Sequence, residues 1–288
     1  MAPKTRTNYA VDRESSRLKA IRRLILAQSK AANVGHIGSC LCVVEILAAL
    51  YGGVLRVNPM DDADRDRFIL SKGHAALALY AVLVLEGRMA EKDLNNFCGE
   101  GSIFSIHPEK AAPGVDFSTG SLGHGPSIAA GAALAARLQK SERRVYCLAS
   151  DAECNEGSVW EMAMFAAHHK LGNLHLIVDA NGQQAFGLTR DVLDTSNLAE
   201  RWASFGWRVS NVDGHSVPAL VEALSARPAS PAPHVVIAKT VFGKGVSYME
   251  QGRPVSQAHL PVQPINWHYL PMSDQEYEIA LTELEAGD

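Results

Sequence analysis

The chain has 288 residues, 47% hydrophobic and 20% charged, with a formal net charge of −4. That length suits one large α/β domain or two modest ones. A slightly acidic balance gives no reason to expect a nucleic acid or an anionic membrane surface as partner.

Residues 1–11 read as a polar tail with no signal-like apolar core, and no stretch approaches the ~18 apolar residues of a membrane span. The five cysteines (40, 42, 98, 147, 154) are odd in number, lack a CxxC pair and lie mostly in apolar contexts. They read as reduced thiols of a cytoplasmic protein. Apolar spacing predicts a helix over 12–32 and a second from about 40 to 51. "RDRFILSKGHAALALYAVLVLEG" predicts a short strand, a glycine turn and a buried helix, and "GHGPSIAAGAALAARLQK" a tightly packing Ala/Gly-rich helix. "RRVYCLAS" and "NLHLIVDA" read as core strands around the helix of "GSVWEMAMFAAHHKLGN", with Gly172 as its stop. "WRVSNVDG", a helix near 216–227 and "PHVVIAKTV" continue the alternation. Strand–helix–strand order with long crossovers means an α/β fold, a parallel sheet flanked by helices. No repeat divides the chain, so one domain is expected over 12–250, with a C-terminal extension over 251–288.

"LASDAECNEGSVWE" (148–161) places Asp151, Glu153, Glu156 and Glu161 directly behind a buried strand. In open parallel sheets ligands bind at the carboxyl ends of strands, where Asp151 and Asn181 both fall. An Asp, an Asn and a backbone carbonyl form a sparse hard-oxygen set, suited to Mg²⁺ or Ca²⁺ when a phosphate completes the shell. The helix opening near Glu156 would turn N–H groups toward that phosphate. Read alone, Asp151 fits a plain strand-end turn equally well. "GSLGHGPSI" is no dinucleotide fingerprint, because Ile128 stands where the third glycine belongs, and "FGKGVS" is no Walker A. His36, His74, His107 and His124 all sit beside Gly or Pro at expected loops. With no HExxH pair, imidazoles around a diphosphate and a polyol are a better reading than a zinc hydrolase.

Taken together, "GHIGS", "RFILSKGHAALALY", "STGSLGHG" and "SDAECNEGSVWE…LGNLHLIVDANG" resemble, in order, the diphosphate-binding half of transketolase. The resemblance is nearest to the N-terminal subunit of transketolases split over two chains, and it covers roughly residues 12–287. It implies a thiamine diphosphate-binding domain with Mg²⁺ or Ca²⁺, acting on sugars or sugar phosphates by two-carbon ketol transfer. The resemblance also implies that Asp151, Asn181 and the Gln183 carbonyl hold the metal. His74, Gly120, Ser121, Leu122, Ala152 and His268 would contact the cofactor. His36 and His107 would bind donor hydroxyls, and Glu156 and Glu161 would couple protons at a dimer interface; Glu153 is left open between structure and function.

Three departures bear on this. Ser150-Asp151-Ala152 replaces the family's Gly-Asp-Gly, although alanine still offers its N–H to a diphosphate oxygen if φ is negative. "GRPVSQAHLPVQPIN" separates "KGVSYMEQ" from "WHYLPMSDQEY", which the family joins almost directly, so His259 rivals His268 for a place in the site. The activating glutamate of the pyrimidine domain is missing. The implied assembly is therefore a heterotetramer with a companion C-terminal subunit, and with self-association. Trp160–Glu161 and the helix over 126–137 would be buried by partner chains. The alternatives are a 1-deoxyxylulose-5-phosphate synthase-like subunit or a non-catalytic homologue.

Overall fold

The computed structural model describes residues 6–57, 62–226, 230–250 and 266–286; His259 and the rest of 251–265 lie outside them. The first helix, α1 (Arg6–Ala32), starts inside the stretch expected to be a tail. The helix expected over 40–51 is broken into α2 (Ile37–Leu41), α3 (Val44–Ala49) and a π-turn over Leu50–Val54. The break falls at Cys42–Val43, where the β-branched pair Val43–Val44 crowds a continuous helix. Residues 37–54 are, by length and composition, apolar enough to cross a membrane, against the sequence expectation. In the fold 89% of that window is buried, so it is core.

The chain continues as β1 (Arg67–Leu70), a 3₁₀ turn over Gly73–Ala75, α4 (Ala76–Leu85), α5 (His124–Leu138), β2 (Val145–Ser150), α6 (Gly157–His168) and β3 (Leu174–Ala180). A hairpin of β4 (Gln183–Gln184) and β5 (Gly187–Leu188) precedes α7 (Thr189–Val192), α8 (Leu198–Ser204), β6 (Arg208–Asp213), α9 (Val217–Ser225) and β7 (His234–Lys239). Two last helices, α10 (Asn266–Tyr269) and α11 (Asp274–Ala286), follow. The five long strands form one parallel sheet in the order β1-β2-β3-β7-β6.

Both faces of that sheet are covered, which is why its central strands read as unbroken apolar runs. Tyr146 and Leu148 point toward α1, α3, α4, α9 and α11, while Val145, Cys147 and Ala149 point toward α5, α6 and α8. Ala129, Ala130 and Ala133 of α5 are buried in the chain's own second core, and Trp160 packs on Trp202 and Phe205. The outer sides of the same stretches, with Ser127, Gly131 and Glu161, are exposed in the single chain, where the partner chains expected there would lie. The stop after α6 also differs, since Lys170 (φ 53°), not Gly172, takes the left-handed conformation. Gly172 is small because Pro231 passes over it; a Cβ there would meet the Pro231 carbonyl oxygen at 3.0 Å. The C-terminal extension returns to the domain. Leu284 and Ala280 of α11 join the α1 core, and Glu283 accepts from the Ser247 N–H at 2.6 Å.

Parallel register brings the ends of β1, β2, β3 and β7 to one edge: Leu70 pairs with Leu148, Ser150 with Asp179, and Ala180 with Lys239. Ser71–Lys72, Asp151, Asn181 and Thr240 follow those ends directly. Every loop that carries chemistry opens on that edge.

Candidate active site

Below that edge lies a closed polar node. Asp179, fully buried, accepts from Lys72 Nζ, from Asn181 Nδ2 at 2.8 Å, from the Cys42 thiol at 3.1 Å and from the Thr240 hydroxyl. Burial alone would raise the Asp179 carboxyl, but Lys72 and these donors hold it below its ordinary value. Burial likewise acts against the Lys72 ammonium, and Asp179 more than offsets it. Asn181 is thereby oriented: its amide N–H faces Asp179, and its carbonyl oxygen accepts from the Gln183 N–H at 2.8 Å.

Glu153, left open by the sequence, ties three loops together. Its carboxylate accepts from the Ser71 hydroxyl, from the Gly123 N–H at 2.7 Å and from the Ser150 N–H at 3.4 Å. Gly123 sits at φ 85°, a conformation that glycine reaches without penalty. The role of Glu153 is structural: it holds the turns after β1 and β2 against the entry to α5.

Above the node is a cavity of about 230 Å³. His36, His74, His107, Gly120, Leu122, Ala152, Asn181, Gln183 and His268 all line it, so nine of the positions singled out from sequence converge. His268 lines the cavity, while its rival His259 lies outside the described residues. His36 adopts a left-handed conformation (φ 60°, ψ 20°), and such strain in a non-glycine residue clusters at functional sites. The His36 and His74 ring centroids are 5.3 Å apart, and those of His74 and His268 6.4 Å. The His107 carbonyl is fixed by the Ser105 hydroxyl at 2.7 Å and the Tyr80 hydroxyl at 3.2 Å. Burial, with His107 and Lys72 adding to it, lowers His36 to about 4; burial, Lys72 and His36 lower His268 to about 3. His74 is lowered as well, first by burial. At neutral pH these imidazoles are uncharged, each offering one donor and one acceptor.

Four buried polar atoms on this wall have no partner among the described residues: His36 Nδ1, Ser39 Oγ, Gln184 Nε2 and His268 Nε2. Native interiors pair such atoms, so four around one cavity mark a place for a polar ligand. Ser39, Gln184 and Tyr269 also line the cavity and escaped sequence reasoning, although each adjoins or follows a residue already quoted.

The remaining expected residues fall outside. Ser121 is exposed and does not reach the cavity; Glu156 and Glu161 are exposed at the start of α6, and His124 is exposed at the start of α5. Ala152 lacks positive φ, but its N–H is already donated to Asp151 Oδ1 at 2.8 Å, which corrects the expectation that it stands free for a diphosphate oxygen. Asp151 borders a larger crevice of about 890 Å³ on the far side of the Asn181–Gly182 loop. None of the four unpartnered atoms lies on that crevice.

Asp151 and Asp179 are two buried carboxylates served by one buried lysine. Burial and then Asp179 push the Asp151 carboxyl up to about 6, despite hydrogen bonds from the Gly182 and Ala152 N–H groups. A divalent cation beside Asp151 would offset that surplus of negative charge, and Asp151, Asn181 and the Gln183 carbonyl offer the hard oxygens it prefers. The residues present fit such an ion.

Comparison with known proteins gives the same direction. The family described as "Transketolase, thiamine diphosphate binding domain" matches residues 13–267. An apulose-4-phosphate transketolase subunit of Actinobacillus succinogenes is 39% identical over 96% of this chain and 98% of its own length. The 6-deoxy-6-sulfo-D-fructose transketolase subunit SqwG of a Clostridium species is 35% identical over 92% and 94% respectively. Among solved structures, transketolase from Campylobacter jejuni superposes with a TM-score of 0.82 at 28% identity. It matches 94% of this chain, and the chain spans 42% of that protein's length.

Proposed function

Because the chain belongs to the transketolase thiamine diphosphate-binding family, we propose that it is the cofactor's diphosphate-side subunit in a two-chain, cytoplasmic transketolase. The observation that carries this reading is the cavity at the strand ends. Its wall holds four unpartnered polar atoms and three neutral histidines, with Asn181 and Gln183 on the same wall and Asp151 on the adjoining crevice. Nearly the full length of the apulose-4-phosphate enzyme's matching subunit is spanned, against about two fifths of the Campylobacter transketolase.

In this reading Asp151, Asn181 and the Gln183 carbonyl would hold Mg²⁺ or Ca²⁺, which would offset the negative charge of the diphosphate. Thiamine diphosphate, once bound, supplies the carbon that takes up the two-carbon ketol unit. His74, Gly120, Leu122 and His268 position the cofactor along the cavity. His36 and His107, both at the cavity wall, accept and donate hydrogen bonds to the hydroxyls of a sugar or sugar-phosphate donor. Glu156 and Glu161, on the exposed start of α6, face the second copy or the companion. That companion brings the pyrimidine domain and its acid, in an assembly of two copies of each chain. The 1-deoxyxylulose-5-phosphate synthase-like and non-catalytic readings gain nothing from the site, since the metal and histidine positions are intact.

The test is calorimetric titration of the purified chain with thiamine diphosphate, with and without Mg²⁺. Saturable binding that requires the metal is expected; binding unaffected by chelation, or none with metal present, contradicts the assignment.

A further inference from the structure

The segment after β7, residues 240–244, does not line the cavity but packs behind two of its walls, against His268 and against Gly38 of α2. Phe242 is wedged there: its ring centroid lies 4.6 Å from that of His268. It also presses on α2 so closely that a Cβ on Gly38 would meet Phe242 Cε1 at 2.1 Å. The Gly243 N–H donates to the Gly38 carbonyl at 3.1 Å. Gly38 is two residues from His36 and one from Ser39. The placement of Phe242 therefore bears on three polar groups of the cavity at once.

A buried network away from the cavity brackets this segment at both ends. His215 Nε2 accepts from the Val241 N–H at 2.9 Å. A backbone N–H can only donate, so the His215 proton is on Nδ1, from which it is given to Glu45 Oε2 at 3.0 Å. Glu45 Oε1 in turn accepts from Arg22 Nη2 at 2.6 Å, and Arg22 Nε donates to the Lys244 carbonyl at 3.0 Å. Burial alone would raise the Glu45 carboxyl, but His215 and Arg22 bring it below its ordinary value, as an ionised bridge requires. The network thus holds Val241 and Lys244, the two residues on either side of Phe242–Gly243.

We propose that Glu45 and His215, braced by Arg22, are positioning residues for the cofactor cavity: they fix the 241–244 segment so that Phe242 sets the places of His268 on one side and His36 and Ser39 on the other. The proposal rests on the cofactor reading of the cavity. It gives His215 a role through an acceptor at Nε2, which separates two substitutions. Glutamine reaches the Nε2 position and keeps an acceptor for Val241, whereas asparagine reaches only the Nδ1 position and keeps the Glu45 contact alone.

The experiment uses the full chain and its His215→Gln and His215→Asn variants. The imidazole signals of His36 and His268 are followed by ¹H–¹⁵N NMR without cofactor, and thiamine diphosphate affinity is measured with Mg²⁺. His215→Asn is expected to shift both sets of imidazole signals and to weaken binding about tenfold, a modest share of what an ångström-scale misplacement costs. His215→Gln should retain wild-type signals and affinity. Displaced signals in His215→Gln, or unmoved signals in a folded His215→Asn, would overturn the proposal. If His215→Asn does not fold, His215→Gln decides alone: wild-type signals support the positioning role and displaced ones refute it. Absence of cofactor binding by the wild-type chain would instead defeat the cofactor reading, and the imidazole comparison would still stand.

Discussion

Two polar clusters meet at the carboxyl edge of the sheet, and they are built in opposite ways. Around Asp179 each carboxylate oxygen has a donor, and Lys72 is matched by a buried charge. On the cavity wall above it, four buried polar atoms have no partner among the described residues. A satisfied buried network specifies one geometry, while an unsatisfied polar atom costs about 1–3 kcal/mol that only a ligand recovers. The closed node makes the site rigid, and the open wall makes it a site.

That contrast sets the order of expected effects. Breaking the node should cost most. Lys72→Met leaves Asp179 as an uncompensated buried charge, for an expected loss of about 3–5 kcal/mol in urea unfolding; a loss under about 1 kcal/mol would mean the node is not closed. On the open side, Asp151→Ala and Asn181→Ala should each weaken metal-dependent thiamine diphosphate binding by at least the roughly 10–100-fold that removing a metal's supporting group costs. Thermal stability should stay close to wild type in Asp151→Ala, whereas Asn181→Ala also removes a donor to Asp179 and should lose about 1 kcal/mol; unchanged affinity in calorimetry would remove either residue from the metal site.

Histidine truncations sharpen the contrast further. His36→Ala and His107→Ala should lower kcat/KM by about 5–150-fold, the equivalent of 1–3 kcal/mol in the transition state. Cofactor affinity should change far less, because these side chains are assigned to the donor. Equal losses in both quantities would place them on the cofactor instead. The smallest effect concerns a second closed node, at the far end of β1. Burial would raise the Asp66 carboxyl, but hydrogen bonds from Arg56 and the Arg144 N–H hold it below its ordinary 3.8. A depressed carboxyl contributes stability above its unfolded value and loses it as pH falls through the lower folded value. Asp66→Asn should therefore be less stable than wild type by about 1–3 kcal/mol at pH 7. In acid denaturation the gap should close below the ordinary carboxylate range; a gap of constant size down to acid pH would contradict the linkage.

The closed and open halves also differ in how far they can be read from sequence. "VYCLAS" and "LIVDA" announce themselves as fully buried parallel strands, and with them comes the edge where Asp151 and Asn181 stand. Loop histidines beside glycine or proline are equally visible, and three of the four reach the cavity. His124 does not, because its glycine neighbours open α5 instead of lining the site. Periodicity misses the break at Cys42–Val43, since α2 and α3 are both buried and their apolar run is continuous. The Glu153 tie and the Arg22–Glu45–His215 network are beyond its reach: their partners are distant in sequence and depend on which loops the sheet edge brings together.

The central claim is that this chain holds the diphosphate side of a site that another chain completes. It is tested most directly by measuring two-carbon transfer from a ketose phosphate to an aldose, with thiamine diphosphate and Mg²⁺, by the chain alone and after adding a companion that carries the pyrimidine domain. The account predicts no turnover by the chain alone and turnover restored by the companion, saturating at equal copies of the two. Robust transfer by this polypeptide alone, at a rate the companion leaves unchanged, would contradict it.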